Sequence, residues 1–273
     1  MSLFPSEEVY QDKEQELQVA KEKIAGPVPL IGVAPDPLLQ LPRGLFVKGT
    51  WQREAEVREL TGADEEALAK AKDQYAFFST ALALGVVRLG EIDLADLPLA
   101  QRKYHLGELL IGEREQLFLK LVQVSFGDEK TISFTCPVCQ ADNDTTLLLS
   151  EDFPPKEVPD IESVLLTYTT AKGDVLDYRP ATGADQEEAL ARKGASTAEQ
   201  NTLMLSRCIT KVNGGLVVDP IDYARNLGIR DRQAILEKLI DRQPSITLEV
   251  KPPCSSCGTE QTVSLVWGDL FRS

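Results

Sequence analysis

The chain contains few of the residues on which most enzyme and metal chemistry depends. Its 273 residues include five cysteines, two methionines, two tryptophans and one histidine. A single histidine excludes the commonest combinations of catalytic base and metal ligand. No Gly-rich phosphate loop, Gly-x-Ser-x-Gly elbow or His-Glu-x-x-His motif occurs either. We therefore expect neither enzymatic activity nor a small-molecule substrate.

Long apolar runs and an excess of basic residues are also missing. No run approaches the length needed to cross a bilayer, and no N-terminal segment has the pattern of a secretory signal. Lys and Arg total 29 against 43 Asp and Glu, a net charge of −14. This balance opposes the attraction that supplies most nonspecific affinity for nucleic acid. We expect an intracellular protein that binds neither membrane nor nucleic acid.

What the chain does contain is a pattern that occurs twice. A Cys-x-x-Cys pair at Cys136 and Cys139 is followed, 118 positions later, by a second pair at Cys254 and Cys257. The same offset, without a gap, aligns Ile111 with Ile229, Leu117 with Ile235, Leu121 with Leu239, Leu147 with Leu265 and Phe153 with Phe271. Chance is a poor explanation for so many matches in one register. The pattern indicates a tandem duplication of a unit of about a hundred residues.

A second match lies upstream, with the offset increased by three residues. It aligns Arg58–Asp64 with Arg179–Asp185, and in both segments a threonine is followed three residues later by an aspartate. This is a capping-box pattern, which predicts that a helix begins at each threonine. The first helix is expected to continue toward Val86. Because capping explains both aspartates, we expect neither to be catalytic.

The four paired cysteines are the ligand set of a structural zinc site, since two thiolates on one tight turn can reach one tetrahedral metal ion. One pair leaves two coordination positions open, and His105 lies outside both pairs. We therefore expect Cys136, Cys139, Cys254 and Cys257 to share one zinc ion. The pairs are unusually far apart in sequence, and two disulfides or two metal-free turns are the alternatives. Cys208 is expected to be a buried core residue, and His105 a surface or packing residue.

The remaining pattern predicts an α+β fold in three parts. Residues 1–43 form an N-terminal arm, with a helix over 6–25 and a proline-rich apolar strap that either packs on its own domain or lies along a neighbouring subunit. Residues 44–158 and 159–273 are two homologous halves. In each half a helix, over 113–124 or its counterpart, precedes a β-hairpin whose tip carries the cysteines. The second half begins with a further hairpin over 164–178.

Five runs follow one another in a characteristic order: Leu109–Leu119, Phe126–Glu129, Cys136–Cys139, Tyr178–Asp185 and Cys254–Gly258. In this order they resemble the T4-type baseplate hub protein family of contractile phage tails and related injection machines. The likeness spans roughly residues 57–273. The resemblance implies a non-enzymatic structural subunit at the baseplate hub or the inner wedge beside it. Its partners would be other baseplate and tail proteins, in the virion and, during assembly, in the host cytoplasm.

Two other functions are compatible with a zinc-bound chain of this kind. One is a zinc-ribbon adaptor or tail-assembly chaperone that is not retained in the particle. The other is a nucleic-acid-binding zinc ribbon, which the acidic residues after both cysteine pairs disfavour.

Overall fold

The protein was analysed as a computed structural model that describes residues 36–192 and 194–271. The predicted helix over 6–25, and most of the proline-rich strap, lie outside these residues. The described part is an α+β fold, and its elements fall into two consecutive sets.

The first set contains six strands and four helices. They are β1 (Leu38–Val47), β2 (Thr50–Val57), α1 (Gly62–Leu68), α2 (Gln74–Gly85), β3 (Val86–Leu89), β4 (Ile92–Asp93), α3 (Leu99–Gly107), α4 (Ile111–Phe126), β5 (Glu129–Thr135) and β6 (Asp142–Leu148). Strands β1 to β4 make an antiparallel sheet in sequence order, and β5 pairs with β6 as a separate hairpin.

The second set follows the same order of elements and adds a last short helix. They are β7 (Leu166–Thr169), β8 (Val175–Tyr178), α5 (Gly183–Ala191), α6 (Thr197–Cys208), β9 (Ile209–Val212), β10 (Gly215–Leu216), α7 (Pro220–Asn226), α8 (Ile229–Asp241), β11 (Glu249–Val250), β12 (Val263–Ser264) and α9 (Trp267–Phe271). Strands β7 to β10 form the second sheet in sequence order, and β11 pairs with β12.

The predicted helix starts are confirmed. Thr61 caps α1 and Thr182 caps α5, and in each case the aspartate at the third helical position completes a capping box. The prediction that the first of these helices continues to Val86 is wrong. Helix α1 ends at Leu68, and α2 has its own N-cap in Asp73, whose carboxylate accepts the backbone N–H groups of Tyr75 and Ala76 at 3.1 and 2.8 Å. A competing cap therefore divides the segment.

The hydrophobic core has two parts, and the larger belongs to the first sheet. It includes α4 and both cysteine-bearing hairpins, with Phe118 stacked on Phe78 at 4.5 Å between ring centroids. Trp267 and Phe271 of α9 lie 5.4 and 5.3 Å from the Phe118 ring. The end of the second set thus packs into the core of the first. The smaller core lies between the second sheet and helices α6 and α8.

The last residues of the predicted strap belong to strand β1. Leu41 is only 2% exposed and packs in the larger core, so at this residue the strap packs on its own domain and not along a neighbouring subunit. Pro42 is tolerated because β1 pairs only with β2 within the described chain, and an edge strand needs fewer N–H donors. The pairing is interrupted by a bulge between Gln40 and Leu45. None of the described helices has both the length and the apolar character to cross a membrane.

Candidate metal centre

The two cysteine turns have the same backbone conformation. In the first, the Cys136 N–H donates to the Ala141 carbonyl at 2.9 Å and the Gln140 N–H donates to the Cys136 carbonyl at 2.8 Å. In the second, Cys254, Thr259 and Gly258 make the same two bonds, both at 2.9 Å. Gln140 and Gly258 both have positive φ, 60° and 71°. Each turn therefore directs two Sγ atoms to the same side.

The four predicted cysteines come together in one cluster. Their Sγ atoms all lie within 4.8 Å of one another, with Cys136 to Cys257 at 3.8 Å and Cys139 to Cys254 at 3.6 Å. Four sulfurs around a tetrahedral zinc with bonds of about 2.3 Å are separated by about 3.8 Å. A disulfide has its sulfurs about 2.05 Å apart. All five cysteines are free thiols here, so the predicted alternative of two disulfides does not describe the structure.

Side chains cross between the turns and hold them together. Asn143, after the first turn, accepts the Ser255 N–H at 2.8 Å and the Ser255 hydroxyl at 2.7 Å. Gln261, which the 118-residue offset aligns with Asn143, donates from Nε2 to Cys136 Sγ at 3.3 Å. The residue that aligns with Ser255 is Pro137, which has no N–H to donate. Such outer contacts orient metal ligands in many sites.

The electrostatics of the cluster favour a bound cation. Backbone N–H groups of Cys257 and Ser256 lower the pKa of Cys254 to about 6, and Thr259 lowers that of Cys257. The Ala141 N–H acts in the same direction on Cys139, but desolvation and the neighbouring thiols raise the pKa of Cys139 to about 12. Four thiolates in one place repel one another, and a divalent metal removes that repulsion. The cysteines present therefore fit a zinc ion.

The donor set also restricts what a metal could do here. Four thiolates fill a tetrahedral shell and leave no position for water or substrate, which is typical of structural rather than catalytic zinc. Cys136 and Cys254 are buried, whereas Cys139 and Cys257 are exposed. Cys208 is fully buried in the smaller core, as predicted. His105 is half-buried on α3 beside the Tyr104 ring, at 5.5 Å between centroids.

The comparison with known families identifies the kind of protein in which this site occurs. A family model described as "T4 bacteriophage base plate protein" matches residues 93–268, which include all four clustered cysteines. The chain belongs to this baseplate family. It is therefore a structural component of a phage tail baseplate, as the order of its sequence motifs implied. No curated protein and no solved structure matches the chain.

Two further acidic residues of this baseplate protein were not predicted to have a role. Glu113 is fully buried, and its Oε1 accepts the backbone N–H groups of Arg43 and Gly44, both at 2.6 Å. Asp231, its counterpart by the 118-residue offset, accepts the Tyr168 hydroxyl at 2.9 Å and the Ala171 N–H at 3.1 Å. Each carboxylate fixes the first hairpin of its own set to a later helix. The 118-residue offset aligns Glu113 with Asp231, and this match between two acidic residues is the signal in the sequence that pointed to their shared role.

Proposed function

We propose that the protein is a baseplate subunit at the hub or inner wedge of a contractile tail or related injection machine, with its two halves joined by one zinc ion. The observation that carries this proposal is the cluster of Cys136, Cys139, Cys254 and Cys257. Two pairs separated by 114 residues place four sulfurs within 4.8 Å. A particle that is mechanically loaded gains from such a clamp, because the clamp prevents the two hairpins from separating.

The proposal includes a duplication of one ancestral unit. The same order of elements in both sets, the matching turns at the cysteines and the paired roles of Glu113 and Asp231 all support it. The metal then lies where the copies meet, with one hairpin from each. Chains that share a zinc in this way bind it only when both parts are folded.

Docking of neighbouring baseplate and tail proteins is the second part of the proposal. We assign it to the segment before β1 together with exposed apolar side chains of the described chain. Since Leu41 belongs to the core, the docking segment ends before Leu38 rather than at residue 43. Assembly in the host cytoplasm precedes incorporation into the virion.

Elemental analysis of the purified chain tests the metal. We expect one zinc per chain, and loss of that zinc in both Cys136→Ser and Cys254→Ser, since either change opens the same site. The apparent free energy of structural zinc binding in small domains is about 10 kcal/mol or more, so both variants should melt well below the parent. Cys208→Ala is the matched control, which should keep one zinc and lose only packing. Two zinc ions per chain, or none, would contradict a shared site.

Electron microscopy of particles tests the location. A subunit retained in the baseplate appears as density in the reconstruction and co-purifies with whole particles. Its absence from finished particles, with presence during assembly, would instead support an adaptor or assembly chaperone. The acidic net charge of −14 opposes the nucleic-acid alternative, for which salt-dependent DNA retention is the test.

A further inference from the structure

The bulge in strand β1 holds an arginine in an unusual position. Gly44 has φ +76°, and a Cβ added there would lie 2.0 Å from the Gln52 carbonyl oxygen, so only glycine fits. The two N–H groups that the bulge leaves unpaired, from Arg43 and Gly44, donate to Glu113. The Arg43 side chain is buried, like that of Leu41 two residues before it.

The Arg43 guanidinium is a buried cation for which the described residues supply no hydrogen-bond partner. Arg43 is 5% exposed, its guanidinium makes no hydrogen bond within the described chain, and its Nε is fully buried and unsatisfied. The group lies over the Trp51 ring, 5.3 Å from the centroid. Burial lowers the pKa of Arg43, although the nearby Glu113 carboxylate opposes that change. An unpaired buried charge is costly, so its retention requires an explanation.

The carboxylates near Arg43 are already engaged. Glu113 accepts three backbone N–H groups, including that of Leu110 at 3.1 Å. Asp185 is fully buried and accepts two nitrogens of Arg179 and one of Arg207. Glu108 is exposed. Arg179 and Arg207 share Asp185, so of the three guanidinium groups Arg43 is the one for which the described residues supply no acceptor.

A cavity of about 280 Å³ opens in front of these groups. Its charged wall has three cations, Arg43, Arg179 and Arg207, against two carboxylates, Glu108 and Asp185. Its apolar wall is formed by Phe46, Trp51 and Val164. Phe46 and Val164 are 58% and 52% exposed, although both are large apolar side chains. The volume is at the small end for ligand sites, so it suits one acidic side chain and its neighbours rather than a nucleotide.

The geometry points to this cavity as a docking site for an acidic segment of a neighbouring baseplate protein, whose carboxylate pairs with the Arg43 guanidinium. A carboxylate matches the planar fork of arginine with two parallel hydrogen bonds. The apolar wall favours a peptide, since a free anion would leave Phe46 and Val164 exposed. The site also lies between the first and second sets of elements, so an occupant would contact both. This inference rests on the proposed docking of neighbours.

A binding measurement on the isolated full-length chain tests the site without a particle. The probe is a fluorescein-labelled, terminally capped hexapeptide of alternating leucine and aspartate, read by anisotropy. The matched probe has asparagine in place of aspartate. We expect the aspartate peptide to bind at least about tenfold more tightly, as one charge-assisted pair provides. Equal binding of both peptides would overturn the inference, as would displacement of the aspartate peptide by millimolar inorganic phosphate.

Variants at Arg43 separate a docking role from a packing role. Arg43→Met should abolish the preference for aspartate while leaving the melting temperature unchanged or higher, because it removes an unpaired buried charge. Arg230→Met, at an exposed arginine, is the control and should change neither. If Arg43→Met does not fold, Arg43→Lys keeps the charge but loses the fork, and should weaken the aspartate peptide several-fold. Unchanged peptide binding in these Arg43 variants would overturn the inference.

A further variant tests the chain's own N-terminal segment as the occupant. Deletion of residues 1–34 should leave binding of the aspartate peptide unchanged. Binding that emerges only after this deletion would assign the cavity to the chain itself and overturn the proposed partner. Failure to find the protein in particles would contradict the proposed function, whereas the peptide-binding results in solution would remain valid.

Discussion

Two copies of one motif occupy different surroundings in this protein. Arg58 and Asp64 form a two-bond ion pair at 2.7 and 2.9 Å, and Arg179 and Asp185 form the same pair at 2.6 and 2.9 Å. In both, the arginine also donates to the carbonyl of the next residue, and the aspartate accepts the N–H of the capping threonine. The local sequence alone therefore determines the bonding pattern.

The surroundings determine how much each copy contributes to stability. The Asp185 side chain is completely buried and accepts a further hydrogen bond from Arg207 at 2.7 Å. Asp64 is 8% exposed, and among the described residues Arg58 is its only basic partner. The second copy lies against the first set of elements, whereas the first copy lies near the surface. A contact with the same geometry is thus a helix cap in the first set of elements and part of the contact between the two sets in the second.

Neutralising the two aspartates should give unequal losses. Asp185→Asn leaves Arg179 and Arg207 without a buried countercharge and should cost about 3–5 kcal/mol in the free energy of unfolding. Asp64→Asn keeps a capping side chain and should cost about 1 kcal/mol. Chemical denaturation measures both. Glu188→Gln, which removes the exposed partner of Arg207, is the control and should cost less than about 0.5 kcal/mol. Equal losses at the two aspartates would show that the surroundings of Asp185 add nothing to the stability that its ion pair provides.

Acid should weaken both ion pairs, because hydrogen bonds from Arg58 and Thr61 also lower the pKa of Asp64 to about 2. Burial alone raises the pKa of Asp185, but Arg179, the Thr182 N–H and Arg207 lower it from 3.8 to about 2. The unfolded chain then binds more protons between pH 4 and 2, so stability falls as the pH falls through that window. Asp185 accounts for about 2 kcal/mol of this loss. Urea midpoints measured from pH 5 to pH 2 should fall less steeply in Asp185→Asn. A slope equal to that of the parent would contradict the low pKa.

The two side chains that cross between the cysteine turns, Asn143 and Gln261, should also contribute unequally, here to zinc affinity. Asn143 is buried and satisfies two groups of Ser255, whereas Gln261 makes one bond to Cys136. Asn143→Ala should lower zinc affinity by about tenfold, and Gln261→Ala by less. Competition with a calibrated chelator measures the change. Ser256→Ala, at an exposed position on the second turn, serves as the control. A larger effect from Gln261 would reverse the assignment.

The smallest expected effect concerns Gln140 and Gly258, the residues of the two cysteine turns that have positive φ. Gly258→Ala places a side chain in the left-handed region and should cost about 1 kcal/mol, although space is open around it. Gln140→Gly removes the same strain from the other turn and should change stability by less than about 1 kcal/mol, because glycine also loses more entropy on folding. Urea midpoints at saturating zinc measure both changes. A large gain from Gln140→Gly would show that the first turn is more strained than its partner.

Short sequence patterns predicted the helix starts, the hairpin and the helix whose formation depends on residues close together in the chain. The capping boxes at Thr61 and Thr182, the turn-forming hairpin before Tyr178 and the helix over 113–124 all have signals within a few residues. The clustering of four cysteines was predicted by a different kind of signal, the repeated offset. One ion with four thiolates requires both turns, so a duplication that carries one turn per copy predicts that they meet.

The remaining features depend on distant contacts that no short pattern records. The cysteine-bearing hairpin of the second set, β11–β12, is much shorter than its counterpart β5–β6 in the first set. Pro252 and Pro253 remove N–H donors after Val250. The packing of Trp267 against Phe118 joins residues about 150 positions apart in sequence. The position of Arg43 needs the bulge, Gly44 and Glu113 together. None of these can be read from periodicity.

The separation of the cysteine pairs has a consequence for synthesis. Cys254 is 118 positions after Cys136, so at translation rates of about 5–20 residues per second it is made roughly 6–24 s later. During that interval the nascent chain carries half a coordination shell, with two thiols and no partner turn. An ion held by all four cysteines would close a loop that spans almost the entire second set of elements, so it would bind only after Cys257 has been made.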